Sequence, residues 1–342
     1  MDNKFYNMFN EFMSKQNFKS EKDRKEKINE FIMKYNTGMI QYQKTPLDRA
    51  YELLEKAYNA KSKDKAMEKA VEAYNMSNDC FDAIIFLADL EEDAKKGLEI
   101  LEEPLEDEKE RLKKEGYFRR ENIGDFYLIF ETRPYIRGLY SKAEKAAAMG
   151  KFRLAANTFE EIIRLNENDN MGARFDLMRI YALLEDEQKM LKVYNKYKSD
   201  DIYMLLPLLV LYYKSGNQKE TEKYLRKIDE NYKEFLRYLK LECEYERFKI
   251  DSINIYEDPE IMSMLEILDE LDFLFMQIED FDEEIYEMGA KLGLIEKYSK
   301  KRILEEIEKL EAEAEAKEKE EAKAKTKKKT TATKKGTTKK KK

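Results

Sequence analysis

Histidine is missing from all 342 residues, so neither an imidazole-based serine or cysteine triad nor the common zinc sites with histidine ligands can be assembled. Eleven glycines and five prolines are too few for the many tight turns of a sheet protein. The two cysteines, Cys80 and Cys243, lie 163 positions apart. Without a partner spacing they read as buried, reduced thiols rather than a disulfide or metal framework. The longest apolar run, YMLLPLLVLYY from Tyr203 to Tyr213, has 11 residues against the ~20 that span a bilayer. The opening MDNKFYNMFNEFM lacks the basic, apolar and small-residue zones of an export signal, so a cytoplasmic location is expected. Neither GxGxxG nor GxxxxGK[ST] occurs, which removes the usual phosphate cradles.

What is abundant is Glu, Lys, Leu and Ala, the strong helix formers, so the class is all-α. Charge is divided unevenly. Eleven lysines and no acid occupy residues 323–342, so a chain total of −7 leaves −18 on residues 1–322. An acidic body carries a basic tail.

Five segments follow along the chain. Residues 1–45 form an N-terminal helical segment, with Ile28, Phe31, Ile32 and Tyr35 spaced for one helix side. Residues 46–130 read as divergent helical hairpins, in which Ala57, Ala60, Ala66, Ala70 and Ala73 let helices approach closely. Residues 131–245 carry a repeat, residues 246–310 an acidic helical cap, and residues 311–342 the end of a charged helix and a lysine-rich tail too polar to fold. In the cap, Pro259 opens a helix with apolar positions at 261, 265, 268, 271, 275 and 278 and acids on its other side.

The repeat is read from its turns. Gly150 and Gly216 stand 66 residues apart, two units of about 33, and an intermediate unit around Leu177, Tyr181, Met190 and Tyr194 lacks the turn glycine. Helix-turn-helix units at roughly 136–169, 170–201 and 202–235, with small residues where paired helices meet, have the period of tetratricopeptide repeats and would stack as an α-solenoid. In ETRPYIRG, residues 131–138, Thr132 or Arg133 is placed to cap a helix with Pro134 in its first turn. In the LNENDN link, Asn168, Asp169 or Asn170 caps a helix starting near Met171. The same link does not fit a calcium loop, because Gly172 is one position late and Leu177 stands where the closing Glu belongs.

DFYLIFETRPYIRG, followed by GKFRLAANTFEEIIRLNENDNMGARF, resembles the signature of a bacterial tetratricopeptide repeat family related to the suppressor-of-tumorigenicity-seven proteins. Its members similarly have an acid-Thr-Arg-Pro-Tyr-Met-Arg start and a Leu-Asn-Pro-Asn-Asp-Asn link. The resemblance covers about residues 20–245. Here Glu167 replaces the linker Pro, Lys151 follows the turn Gly in place of Arg, and Pro207 interrupts a helix. It implies an all-helical, non-catalytic repeat scaffold.

A scaffold of that kind lines its groove with the first helix of each unit. The lining expected here is Arg137 and Tyr140, then Arg174 and Met178, then Tyr203, Leu206, Val210 and Tyr213, an aromatic and Met-rich surface for a helix or extended peptide of an unidentified protein partner. The Lys and Asn residues with which such stacks clamp an acidic C-terminus are absent. Two occupants stay open, an outside peptide or the chain's own N-terminal or acidic helix. Arg133 and Arg137 either contact an anion at the helix start or pair with Glu131 or Asp125. The tail lysines Lys327, Lys328, Lys329, Lys334, Lys335, Lys339 and Lys340 either neutralise phosphates of nucleic acid without reading sequence or fold back on the acidic body. The many acids read as solvated helix faces. No catalytic residue, cofactor or metal is expected; the function expected is that of a scaffold or adaptor, with an accessory nucleic-acid- or ribosome-associated protein that uses the tail as the alternative.

Overall fold

The computed structural model describes residues 15–18, 20–39, 44–248 and 259–297, with single residues elsewhere. All regular structure among the described residues is helical. The chain divides into two compact units, Met1–Arg174 and Phe175–Lys342.

In the first unit, α1 (Glu21–Asn36) buries Phe31 under the rings of Phe5, Phe9, Phe12 and Tyr35. Ile32 turns outward instead of joining that side. Three hairpins follow: α2 (Pro46–Tyr58) with α3 (Lys63–Met76), α4 (Phe81–Leu90) with α5 (Ala94–Lys114), and α6 (Arg133–Ala148) with α7 (Phe152–Leu165). Each helix packs on its neighbour in sequence, and α4 also packs on α6, so the first helices of successive hairpins stand side by side. The expected small-residue contact is present. Ala57, Ala66, Ala70 and Ala73 are buried with Cys80 between α2, α3 and α4, and Ala60 packs against them half-buried.

Local chemistry sets the starts of these helices. The Thr45 hydroxyl accepts from the Asp48 backbone N–H (3.1 Å) while the Asp48 carboxylate accepts from the Thr45 N–H (2.7 Å), a reciprocal cap with Pro46 in the first turn. In the 165–173 link it is Asp169 that caps, accepting from the N–H groups of Ala173 (2.7 Å) and Arg174 (3.0 Å), and the helix starts at Ala173, two residues later than Met171. Thr132 departs from the expected cap. Its buried hydroxyl points backward and donates to the carbonyls of Phe126 and Ile129, tying down the 115–132 loop.

The second unit holds α8 (Ala173–Leu184), whose first two residues precede the division, then α9 (Glu187–Tyr197), α10 (Ile202–Lys214), α11 (Gln218–Asn231), α12 (Lys233–Phe248), α13 (Pro259–Leu271) and α14 (Phe281–Lys291). Helix α10 packs on α9 and α11, and α12 on α11, α13 and α14. Pro207 does not interrupt α10, which runs through it. Proline removes one ladder hydrogen bond there, and the burial of nearly every α10 side chain holds the helix together. The acidic cap is not one helix. α13 ends at Leu271, residues 272–274 form a 3₁₀ turn, and Asp280, at φ 58°, starts α14. Beyond 297 only Lys301, Glu305, Glu308 and Ala312 are described, all helical, and the rest of the charged helix and the lysine tail lie outside the described residues.

The three expected turns share one geometry. Gly150, Glu185 and Gly216 all take left-handed φ values of 69°, 56° and 67°. The next residue in each case donates its N–H to the carbonyl five positions back: Lys151 to Ala146 (2.8 Å), Asp186 to Tyr181 (3.0 Å) and Asn217 to Tyr212 (3.0 Å). The turn at Glu185 thus forms without a glycine. A Cβ built on Gly150 meets nothing, so only backbone conformation resists Gly150→Ala, which should lower the stability of the chain by about 1 kcal/mol. Glu185→Gly should raise it by about 0.5 kcal/mol, reduced slightly by loss of the exposed ion pair with Lys214. Urea titrations followed by circular dichroism check both signs.

Candidate functional site

A repeated spacing builds a surface where aromatic, apolar and charged side chains converge. On α2 it selects Tyr51, Leu54 and Tyr58; on α4, Asp82, Ile85 and Asp89; on α6, Arg137, Tyr140 and Glu144. Each set has the offsets i, i+3 and i+7, which place three side chains on one face of a helix. All nine line a single recess of about 480 Å³ in the first unit, completed by Glu55, Ser141 and Met171.

Because the three helices stand in register, equivalent positions form rows across them. The first row is a continuous polar chain. Arg137 donates from Nε to Asp82 Oδ1 (2.7 Å) and from Nη2 to Oδ2 (2.6 Å), and the Tyr51 hydroxyl donates to the same Oδ2 (2.9 Å). Burial opposes the charge on Arg137, but the hydrogen bonds and charge of Asp82 outweigh it and raise the guanidinium pKa. Burial and the Asp82 charge also push the Tyr51 phenol up, so it stays a neutral donor. The second row, Leu54, Ile85 and Tyr140, is the apolar floor, with the Tyr140 ring edge-on to Phe159 at 5.2 Å. The third row is Tyr58, Asp89 and Glu144. Tyr58 is 66% exposed although its ring meets Phe86 at 4.6 Å, and Asp89 accepts from the Ser141 hydroxyl (2.5 Å) and the Lys145 ammonium (2.9 Å).

The motif at 131–138 serves this arrangement. Arg133 donates from Nε to the Tyr127 carbonyl (2.7 Å) and lies over the rings of Tyr127 and Phe130. Arg137 pairs with Asp82, 55 residues upstream, rather than with Glu131 or Asp125. Gly138 is required by the packing, since a Cβ there would come within 2.6 Å of Phe81 and 3.0 Å of Leu105. Both arginines are therefore engaged within the chain, and neither is presented bare to an anion.

The remaining expected lining residues lie elsewhere. Arg174 pairs with the capping Asp169 (2.9 Å) in the first unit. In the second, Met178, Leu206 and Val210 are fully buried rather than on an open surface. The Tyr203 hydroxyl donates to Glu270 (2.8 Å) and the Tyr213 hydroxyl to Glu284 (2.9 Å), while Phe281 sets its ring against Tyr213 at 5.0 Å. Burial, then the glutamate partner, raises each phenol to about 12. In the second unit the chain's own α13 and α14 thus engage the tyrosines expected to line the groove. A cleft of about 710 Å³ remains beside Tyr213, walled largely by Glu222, Asp280, Glu283, Glu284 and Glu287. The tail lysines lie outside the described residues.

Tyr51, Tyr58, Asp82 and Asp89 were missed in the sequence, although offsets of three and seven counted from Tyr51 and Asp82 would have found them. Among the described residues no group of three or more potential ligands could hold a metal, and no helix is long and apolar enough to cross a membrane. Cys80 is buried and its thiol is pushed up to about 12, by burial first and then by Asp82.

No protein-family model matches the chain, and no curated protein matches it in sequence. What the coordinates establish is an all-helical protein whose helices pack on their neighbours in sequence order, consistent with a helical solenoid.

Removing Arg137 would strand the Asp82 carboxylate, whose side chain is 12% exposed. Arg137→Ala should cost about 2 kcal/mol, less than the ~3–5 kcal/mol of fully buried pairs because the guanidinium keeps some solvent. Asp82→Asn in the same chain should recover part of the loss, and a double-mutant cycle by urea denaturation measures it. In the native chain at pH 8, Ellman's reagent should leave Cys80 unmodified and reach it only in denaturant.

Proposed function

We propose that the chain is a non-catalytic scaffold of tetratricopeptide type that binds a segment of another protein in the recess formed by α2, α4 and α6. The observation that carries this reading is the threefold repetition of lining offsets, which gives equivalent positions on three parallel-running helices to one continuous surface. Support for the repeat type comes from the left-handed turns at 150, 185 and 216, spaced 35 and 31 residues apart, with their shared capping bond. A stack of this kind uses side chains of its first helices for recognition and the second helices for packing.

The recess suits binding more than chemistry. Asp82 accepts two hydrogen bonds from Arg137 and one from Tyr51, so the ion pair holds the wall in place. Tyr58 and Tyr140 supply large contact area with few rotatable bonds, the property that makes aromatic residues dominate binding energy.

Panning a displayed peptide library on the immobilised full chain tests the reading. Enriched peptides should bind wild type and lose about tenfold in affinity to Tyr58→Ala, a change at an exposed ring that leaves the melting temperature nearly unchanged. Enriched peptides that bind wild type and Tyr58→Ala equally, or no enrichment at all, would count against the recess.

A further inference from the structure

Resting on the assignment of the recess as the binding surface, we infer that its occupant is a basic amphipathic segment of a partner protein, one that presents leucine-like and lysine- or arginine-like side chains on the same face. The three rows dictate that pairing. In the first row the Asp82 carboxylate and the Arg137 guanidinium neutralise one another, so the row offers no uncompensated charge. The second, Leu54, Ile85 and Tyr140, is apolar apart from the Tyr140 hydroxyl, with Leu54 and Ile85 buried and Tyr140 half-buried. Along each helix the second and third rows are separated by four residues, about 6 Å of rise, so one side chain reaches the floor while its neighbour reaches the third row.

That third row and its surroundings are anionic. The lining holds Glu55, Asp82, Asp89 and Glu144 against a single guanidinium, Arg137. Lys145 reaches Asp89 from beside the recess and balances that carboxylate. An ammonium or guanidinium arriving there meets carboxylates at Glu55 and Glu144, both on exposed residues, and the open face of Tyr58, which attracts cations in its own right. Acidic segments meet the opposite, since like charges across an interface repel. The chain's own residues 323–342, which contain lysine, threonine, alanine and one glycine, satisfy the charge but carry no apolar side chain large enough for the floor. Polylysine character alone is therefore insufficient.

Fluorescence anisotropy on the full chain separates these cases with three labelled synthetic peptides: an amphipathic Leu/Lys helix, its Leu/Glu counterpart, and the sequence of residues 323–342. The Leu/Lys peptide should bind at least about tenfold more tightly than either other peptide. Glu55→Lys with Glu144→Lys should reduce that binding about tenfold, and Tyr58→Ala by a similar factor, with helicity and melting temperature retained. Glu283→Gln, on the wall of the acidic cleft in the second unit, serves as a control and should change nothing. Equal binding of the Leu/Glu peptide, or of the 323–342 peptide, would overturn the inference while a Tyr58→Ala effect still upheld the recess. Loss of Leu/Lys binding in Glu283→Gln but not in Glu55→Lys with Glu144→Lys would move the contact to the cleft and overturn it. Failure of every peptide to respond to Tyr58→Ala would remove the recess itself.

Discussion

Asp82 is one carboxylate shared by three helices. It comes from α4, takes both guanidinium hydrogen bonds from α6 and a phenol hydrogen bond from α2, and so fixes the register of the three helices, with the bonds of Ser141 and Lys145 to Asp89 as a second polar tie between α4 and α6. A charge buried to this degree is stable only with its full set of partners. The close approach that makes those distances attainable depends on Gly138, one residue beyond Arg137, where a methyl group would strike Phe81. Side-chain pairing and backbone approach are thus two halves of one requirement, and the eight residues ETRPYIRG supply most of both. Thr132 and Arg133 hold the preceding loop, Pro134 and Tyr135 start and anchor α6, and Arg137 and Gly138 join it to its neighbours.

The recess follows from that register. Three helices with side chains at the same offsets would give only scattered patches if one of them were displaced by a residue. Locked in line, they present rows: one that holds the structure, one that is greasy, and one that carries charge. In the second unit, hydrogen bonds from Tyr203 and Tyr213 to glutamates of α13 and α14 engage the corresponding chemistry internally.

Much of this was legible in the sequence, and the gaps have identifiable causes. The alanines of α2 and α3, the Pro46 start and the turns at Gly150 and Gly216 are local signals, and each was found where it was read. Asp169 was one of three caps that the LNENDN link offered, beside Asn168 and Asn170, and its two backbone hydrogen bonds single it out. The partner of Arg137 was not readable, since pairing across 55 residues leaves no local mark and nearer acids were available. The long α5 and the 115–132 loop broke the period between α4 and α6, which hid the recess in the hairpins upstream of the recognised repeat. Leu206 and Val210 were misplaced for a different reason. A helix that is apolar on every side has no amphipathic direction, so periodicity cannot say which face is inside. Asp280 likewise gave no warning that the acidic cap would break into two helices.

The division of labour among the rows also bears on how such a protein can change over time. The anchoring row tolerates almost no exchange and Ile85 is buried in the core, whereas Glu55 and Glu144 are exposed, so the charge of the recess can be rewritten without first finding a compensating repair elsewhere. A lineage built on this framework can thus alter the charge of that face one rung at a time.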